Sequence, residues 1–121
     1  MKKFAIVAGE PRSINTEIIS KAWKRLKKFE KKNLFIIGSY SLIKSQIESS
    51  KIKILVHKFK NKSKNNSNSM PIMDVPINFK NDYKIPTRNS SKYVLECLDR
   101  AHHLSCENKI VGFINCAIDK K

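Results

Sequence analysis

The sequence predicts an α/β fold, a mostly parallel sheet flanked by helices, and three observations carry that expectation. Short, continuous apolar runs stand at Phe4–Ala8 and Leu34–Gly38, as in strands covered on both faces. Each is followed by a stretch whose apolar residues recur at helical spacing. The order strand, helix, strand, helix, strand from Phe4 to Val56 calls for right-handed crossovers, and hence for parallel pairing.

The first run stops at Gly9, Glu10 and Pro11, and a polar turn leads into an amphipathic helix beginning near Thr16. Ile18, Ile19, Ala22, Trp23, Leu26 and Phe29 form its apolar side, with Lys21, Lys24, Arg25, Lys27 and Lys28 opposite. Asn15 or Thr16 can cap this helix, and Glu17 suits its positive end. The lysines from Lys27 to Lys32 suit the negative end. After the second strand, Ser39 or Tyr40 opens a shorter helix with Leu42, Ile43 and Ile47 on one side. Ile52–Val56 reads as a third strand, placed at an edge because Lys53 interrupts it.

Lys60–Ser69 contains no apolar residue, so the segment 60–70 is expected to be a low-complexity surface loop. Pro71–Pro76 suits one more short strand bounded by prolines. Ile77–Pro86 is irregular. A long helix is expected from about Ser90 to Ser105, with Val94, Cys97, Leu98, Ala101 and Leu104 as its apolar stripe and Tyr93 beside it. Lys109–Ile118 then supplies a strand running into a loop.

At 121 residues the chain is at most one domain, with enough apolar residues (40%) to build a core. No run is long enough to span a bilayer, and the five-residue apolar stretch after Met1–Lys3 is too short for a signal peptide. A cytoplasmic location is expected, without a membrane partner. Cys97, Cys106 and Cys116, an odd number without close pairing, fit reduced thiols.

The net charge of +15 invites a nucleic-acid reading, but the basic residues argue against it. Lysine supplies 21 of the 25, and lysine, asparagine and isoleucine make up 48 of the 121 residues. Codons rich in A and T produce that profile without a partner. Nucleic-acid surfaces use more arginine, interleaved with aromatic residues for stacking. A small basic nucleic-acid-binding protein, or a non-catalytic remnant, is therefore kept only as the alternative.

Chemistry-bearing motifs are few. His102 and Cys106 stand four apart on the long helix, but no second pair completes a tetrahedral metal site. No serine sits in a Gly-x-Ser-x-Gly turn, and neither a dinucleotide fingerprint nor a Walker loop occurs among three glycines, Gly9, Gly38 and Gly112. What stands out is the corner from Gly9 to Glu17. A strand-to-helix junction of this kind faces the carboxyl edge of the sheet, where ligands bind, and helix-start N–H groups favour an anion.

Val7–Ile19, reading Val-Ala-Gly-Glu-Pro-Arg-Ser-Ile-Asn-Thr-Glu-Ile-Ile, resembles the opening of the 4-hydroxythreonine-4-phosphate dehydrogenase family. Gly9, Glu10, Pro11, Ile14 and Glu17 match that family's Gly-Asp/Glu-Pro-Ala-Gly-Ile-Gly-Pro-Glu as they stand. Phe35–Gly38 is similar to its second strand, and Ser91–Ala101 to its helix with Tyr-Val followed by Leu and Ala. Ile110–Lys120 is similar to its strand ending in Thr-Ala-Pro-Ile-Asn-Lys. The chain departs from the pattern at Arg12, Ser13, Asn15 and Thr16, where the family has Ala, Gly, Gly and Pro, and at Ala117 and Asp119. Losing two glycines makes any positive φ in the loop more costly, and Asn15 tolerates one best.

The resemblance implies an isocitrate/isopropylmalate dehydrogenase-like architecture, of which residues 1–121 would be an incomplete α/β domain at the N-terminal end of a longer enzyme. It implies a homodimer that oxidises 4-phosphooxy-L-threonine with NAD and a divalent metal, followed by decarboxylation, in pyridoxal 5'-phosphate synthesis. The family's substrate-binding His-Thr pair and metal-binding histidines fall beyond the position matching Lys121. No catalytic or metal-binding residue is therefore assigned to this chain, and alone it is expected to be inactive. The residues expected near a small phosphorylated amino-acid substrate are Gly9, Glu10, Pro11, Arg12, Ser13, Asn15, Glu17, Asn115, Asp119 and Lys120.

Overall fold

The computed structural model of the chain describes residues 3–11, 14–59, 69–78 and 85–115. Five strands form one all-parallel sheet: β1 (Phe4–Val7), β2 (Leu34–Gly38), β3 (Leu55–Lys58), β4 (Ser69–Asp74) and β5 (Gly112–Asn115). Their order across the sheet is β3-β4-β2-β1-β5. The helices are α1 (Asn15–Arg25), α2 (Lys28–Lys31), α3 (Tyr40–Ser49) and α4 (Thr87–Cys106). The mostly parallel, helix-flanked α/β architecture expected from the sequence is present.

The period of two along each strand divides the core into two layers. Ala5 and Val7 of β1 and Phe35 and Ile37 of β2 pack against Tyr93, Val94, Cys97, Ala101 and Leu104 of α4. Ala8, Ile36, Met70 and Ile72 point the other way, to Ile19 and Trp23 of α1 and Ile43 and Ile47 of α3. The chain leaves β1 in one direction across the sheet and returns from β4 in the other. A single crossover hand then requires α1 and α3 on one face and α4 on the opposite face.

The boundaries depart from the expected ones where local chemistry overrides periodicity. The first helix stops at Arg25, because Leu26 is extended and its N–H turns back to the Trp23 carbonyl. The apolar spacing continues through Phe29, which belongs to α2 and is exposed. The Glu30 carboxylate, accepting from the Lys27 N–H at 2.9 Å, stabilises this new start. α3 and α4 end with Lys51 and Asn108 left-handed (φ 59° and 57°), the usual conformation of a residue closing a helix. The third strand lies three residues later than Ile52–Val56, though at the edge expected for it.

β4 is an interior strand in spite of Pro71, which faces His57 of β3 and lacks an N–H. Pairing with β2 begins only at Ile72, so no ladder bond to β2 is lost at the proline. The long helix starts at Thr87, slightly before the expected Ser90. Most of the low-complexity segment 60–70 lies outside the described residues. Among those described, no helix is long and apolar enough to cross a membrane.

The two described cysteines differ in surroundings. Cys97 is completely buried in the α4 layer, whereas Cys106 is exposed at the end of the helix. Burial pushes the Cys97 thiol up to about 12, against a partial opposing pull from its hydrogen bond with Tyr93. A thiol held neutral in this way is no nucleophile at ordinary pH. The unfolded chain would ionise Cys97 near pH 9, well before the folded one. The stability this thiol contributes is therefore complete below pH 9 and lost between 9 and about 12. The loss is at most about 1.4 kcal/mol per pH unit. Melting curves from pH 8 to 10.5 should fall more steeply for the parent than for Cys97→Ala; parallel profiles would contradict this.

Candidate functional site

The carboxyl ends of β4, β2, β1 and β5 lie side by side, and the chain reverses its winding beside β1. From β1 it reaches one neighbour, β2, through α1; the other neighbour, β5, is reached through α4 on the opposite face. Open α/β sheets place their ligand crevice at such a reversal. Asn115, the last residue of β5, stands opposite Val7, so it flanks the loop that leaves β1.

That loop is held from below by side chains. Gly9 adopts φ 77°, a left-handed conformation that costs an L-residue about 1–2 kcal/mol. The Asn15 amide donates to the Ala8 carbonyl at 3.0 Å. The Gln46 amide, from α3, donates to the Pro11 carbonyl at 2.7 Å, and the Thr16 hydroxyl donates to the other end of the same Gln46 side chain. Asn15, Thr16 and Gln46 are all buried. Two carbonyls of an otherwise irregular turn are thus satisfied in the interior, where an unpaired one is costly.

A second set of bonds fixes the adjoining turn after β2. The Ser39 N–H donates to Tyr93 Oη at 2.7 Å, the Tyr40 N–H to Asp74 Oδ1 at 2.9 Å, and the Leu42 N–H to Ser39 Oγ at 3.3 Å. The Tyr40 and Leu42 N–H groups at the opening of α3 are therefore engaged by the protein itself. Tyr93 reaches Ser39 because Gly38 has no side chain. Burial pushes the Tyr93 hydroxyl well above its ordinary value. It acts as a neutral hydrogen-bonding post.

The expected site residues separate into distinct groups. Gly9, Glu10 and Pro11 form the turn, with Gly9 and Pro11 buried within it. Asn15 and Thr16 do not cap α1 as anticipated. Ile14 occupies the cap position without a side-chain bond, because both polar side chains turn inward to the loop. Among the described residues of the loop the left-handed one is Gly9, and Asn15 is helical. Glu17 faces outward and pairs with Lys21 at 2.9 Å, four residues along α1. Arg12, Ser13, Asp119 and Lys120 lie outside the described residues.

Sequence reasoning overlooked Gln46, Tyr93 and Asp74 as supports of this corner. Gln46 left a signal, for it occupies the same helical stripe as Leu42, Ile43 and Ile47 and is the one amide on that apolar side. Such an interruption marks a buried polar bond. Among the described residues, no three histidine, cysteine, aspartate or glutamate side chains converge to hold a metal ion. His102 and Cys106 do meet on α4, with Nε2 3.5 Å from Sγ, but at the exposed end of that helix. The described residues thus fit neither a resident metal nor a glycine-rich dinucleotide loop.

No protein-family model matches the chain, and no curated protein matches it in sequence. Solved structures do match its fold. A 4-hydroxythreonine-4-phosphate dehydrogenase from Burkholderia phymatum superposes with a TM-score of 0.83 at 11% identity, covering 99% of this chain and 37% of its own. One from Klebsiella pneumoniae gives 0.80 at 17% identity, covering 99% and 38%. A Salmonella typhimurium protein given the same enzyme name gives 0.81 at 18%, covering 99% and 38%. The chain spans less than two-fifths of the length of these structures, and it is similar to them in fold across nearly all of its own.

Proposed function

We propose that this chain forms the ligand-facing corner of a dehydrogenase of the 4-hydroxythreonine-4-phosphate type. The whole enzyme would oxidise 4-phosphooxy-L-threonine with NAD, with loss of carbon dioxide to follow. The observation that carries this reading is the agreement of two independent lines. The motif from Gly9 to Glu17 was singled out by its residues, and it lies at the reversal point of a sheet that superposes on such enzymes.

In this reading the chain's own residues bind and orient. The turn Gly9–Pro11 presents its backbone to the crevice, while Asn15, Thr16 and Gln46 prevent it from collapsing. Asn115 offers an amide from the other side of the reversal, and Arg12, Ser13, Asp119 and Lys120 are proposed to complete the rim. NAD and a divalent metal would supply the redox and Lewis-acid chemistry. No described residue set fits either group, so both are assigned to other parts of a longer, homodimeric enzyme, in which residues 1–121 are one incomplete domain.

The expected result is that residues 1–121 alone reduce no NAD in the presence of 4-phosphooxy-L-threonine and a divalent metal. Turnover by this polypeptide would overturn the assignment of the chemistry to other parts. Binding is tested separately. Titrating the phosphorylated substrate into nitrogen-15-labelled chain should move the amide signals of Gly9, Glu10 and Asn115, and leave those at the far end of α4 in place. Uniform or absent shifts at saturating concentration would remove the proposed corner.

A further inference from the structure

A groove of about 670 Å³ opens on the α1/α3 face, away from the Gly9–Pro11 turn. Its lining comes from the ends of α1 and α3, from α2, and from the segment entering β3, which places it toward the amino ends of the strands. Ile47, Ile54 and Val56 give it an apolar floor. Lys24, Lys31, Lys44 and Lys53 stand around that floor against a single acid, Glu48.

Some of this charge has a local explanation. Lys24 lies in the last turn of α1, where a cation offsets the helix dipole, and Lys31 sits over the Trp23 ring at 5.6 Å. Lys44 is 5.9 Å from the Tyr40 ring, at the outer limit of such a contact, and Lys53 has no helix end to serve. None of the four pairs with a carboxylate among the described residues. The groove therefore concentrates uncompensated positive charge beside apolar surface.

Strand β3 adds a third feature. It is the outermost described strand on this side, so one row of its backbone groups has no strand partner among the described residues, and Leu55 beside the groove is 70% exposed. Lysines at such an edge repel a second copy of a +15 chain. The same charges attract a segment of opposite sign. We propose that this groove docks an extended, acidic and apolar segment of a partner protein. The segment adds to the free edge of β3, sets alternate apolar side chains on the floor, and places its carboxylates among Lys44, Lys53 and their neighbours.

The test uses the whole chain and a fluorescein-labelled heptapeptide of alternating glutamate and leucine, read by anisotropy at fixed ionic strength. Three comparison peptides replace glutamate by glutamine, replace leucine by glycine, or carry N-methyl groups on alternate amides. The parent peptide should bind, and each replacement should weaken it by about tenfold. Lys44→Glu with Lys53→Glu should weaken it to a similar degree, whereas Lys92→Glu with Arg100→Glu on α4, of equal net charge, should change it by less than about twofold. Circular dichroism establishes that both double variants are folded, and Lys44→Gln with Lys53→Gln replaces the first pair if it is not. Equal losses in both doubles, or unchanged affinity for the glycine or N-methyl peptide, would overturn the proposal. Binding of a single-stranded oligonucleotide through Lys44 and Lys53, with the peptide ignored, would overturn it too.

Discussion

Gln46→Leu is expected to lower the unfolding free energy by about 2–4 kcal/mol, although leucine is the more apolar residue at a buried position. The substitution leaves the Pro11 carbonyl without its donor and the Thr16 hydroxyl without its acceptor. Both groups remain inside, and each unsatisfied buried group costs about 1–3 kcal/mol. Urea unfolding with an unchanged m-value would measure the loss. The amide signals of Gly9 to Asn15 should shift while those of α4 stay in place. A loss below about 1 kcal/mol, with shifts spread evenly over the chain, would show that the turn after β1 is held by other means.

Gly38→Ala should cost about 2–3 kcal/mol through overpacking. A methyl group there would approach Tyr93 Oη to 2.8 Å, Ile43 Cδ1 to 2.9 Å and Ala8 Cβ to 3.0 Å. The isoleucine tip can rotate away. The tyrosine hydroxyl cannot move without releasing the Ser39 N–H, and Ala8 is tied to β2 by its N–H bond to the Ile37 carbonyl. Tyr93→Phe alone should cost about 1–3 kcal/mol, because it orphans that same N–H. The combination should be less damaging than the sum of the two by about 1 kcal/mol, since removing Oη also removes the closest clash. Strict additivity in thermal or urea unfolding would refute this packing account.

Legibility in the sequence followed the origin of each constraint. Phe4–Ala8 and Leu34–Gly38 were readable as strands because burial on both faces leaves a continuous apolar signal. α4 was readable because a single stripe faces a single layer of the sheet. The break at Leu26 was not, since apolar spacing runs through it and only the backbone reverses. Pro71–Pro76 was readable as a short strand, but its interior place in the sheet was not. What settles its place is where pairing with β2 begins, a relation between segments far apart in the chain.

The corner shows the same division. Its position followed from Gly9–Pro11 and the helix after it, both local features. The inward turn of Thr16 depended on Gln46, thirty residues beyond it and on another helix, and that of Asn15 on the Ala8 carbonyl. A polar residue near a helix start reads as a cap until its tertiary partner is known.

The central place of β1 bears on how the chain is made. β1 is synthesised long before β5, yet one of its two ladders is formed with that strand, where Phe4 meets Gly112. Until α4 and β5 have been synthesised, Ala5 and Val7 also lack the layer formed by α4. The nascent polypeptide thus carries an open parallel edge at β1 while the residues between the two strands are made, the interval in which chaperone capture competes with premature association. Sequence changes that favour early pairing of Phe4–Val7 with a wrong strand would then reduce yield without altering any contact of the finished fold.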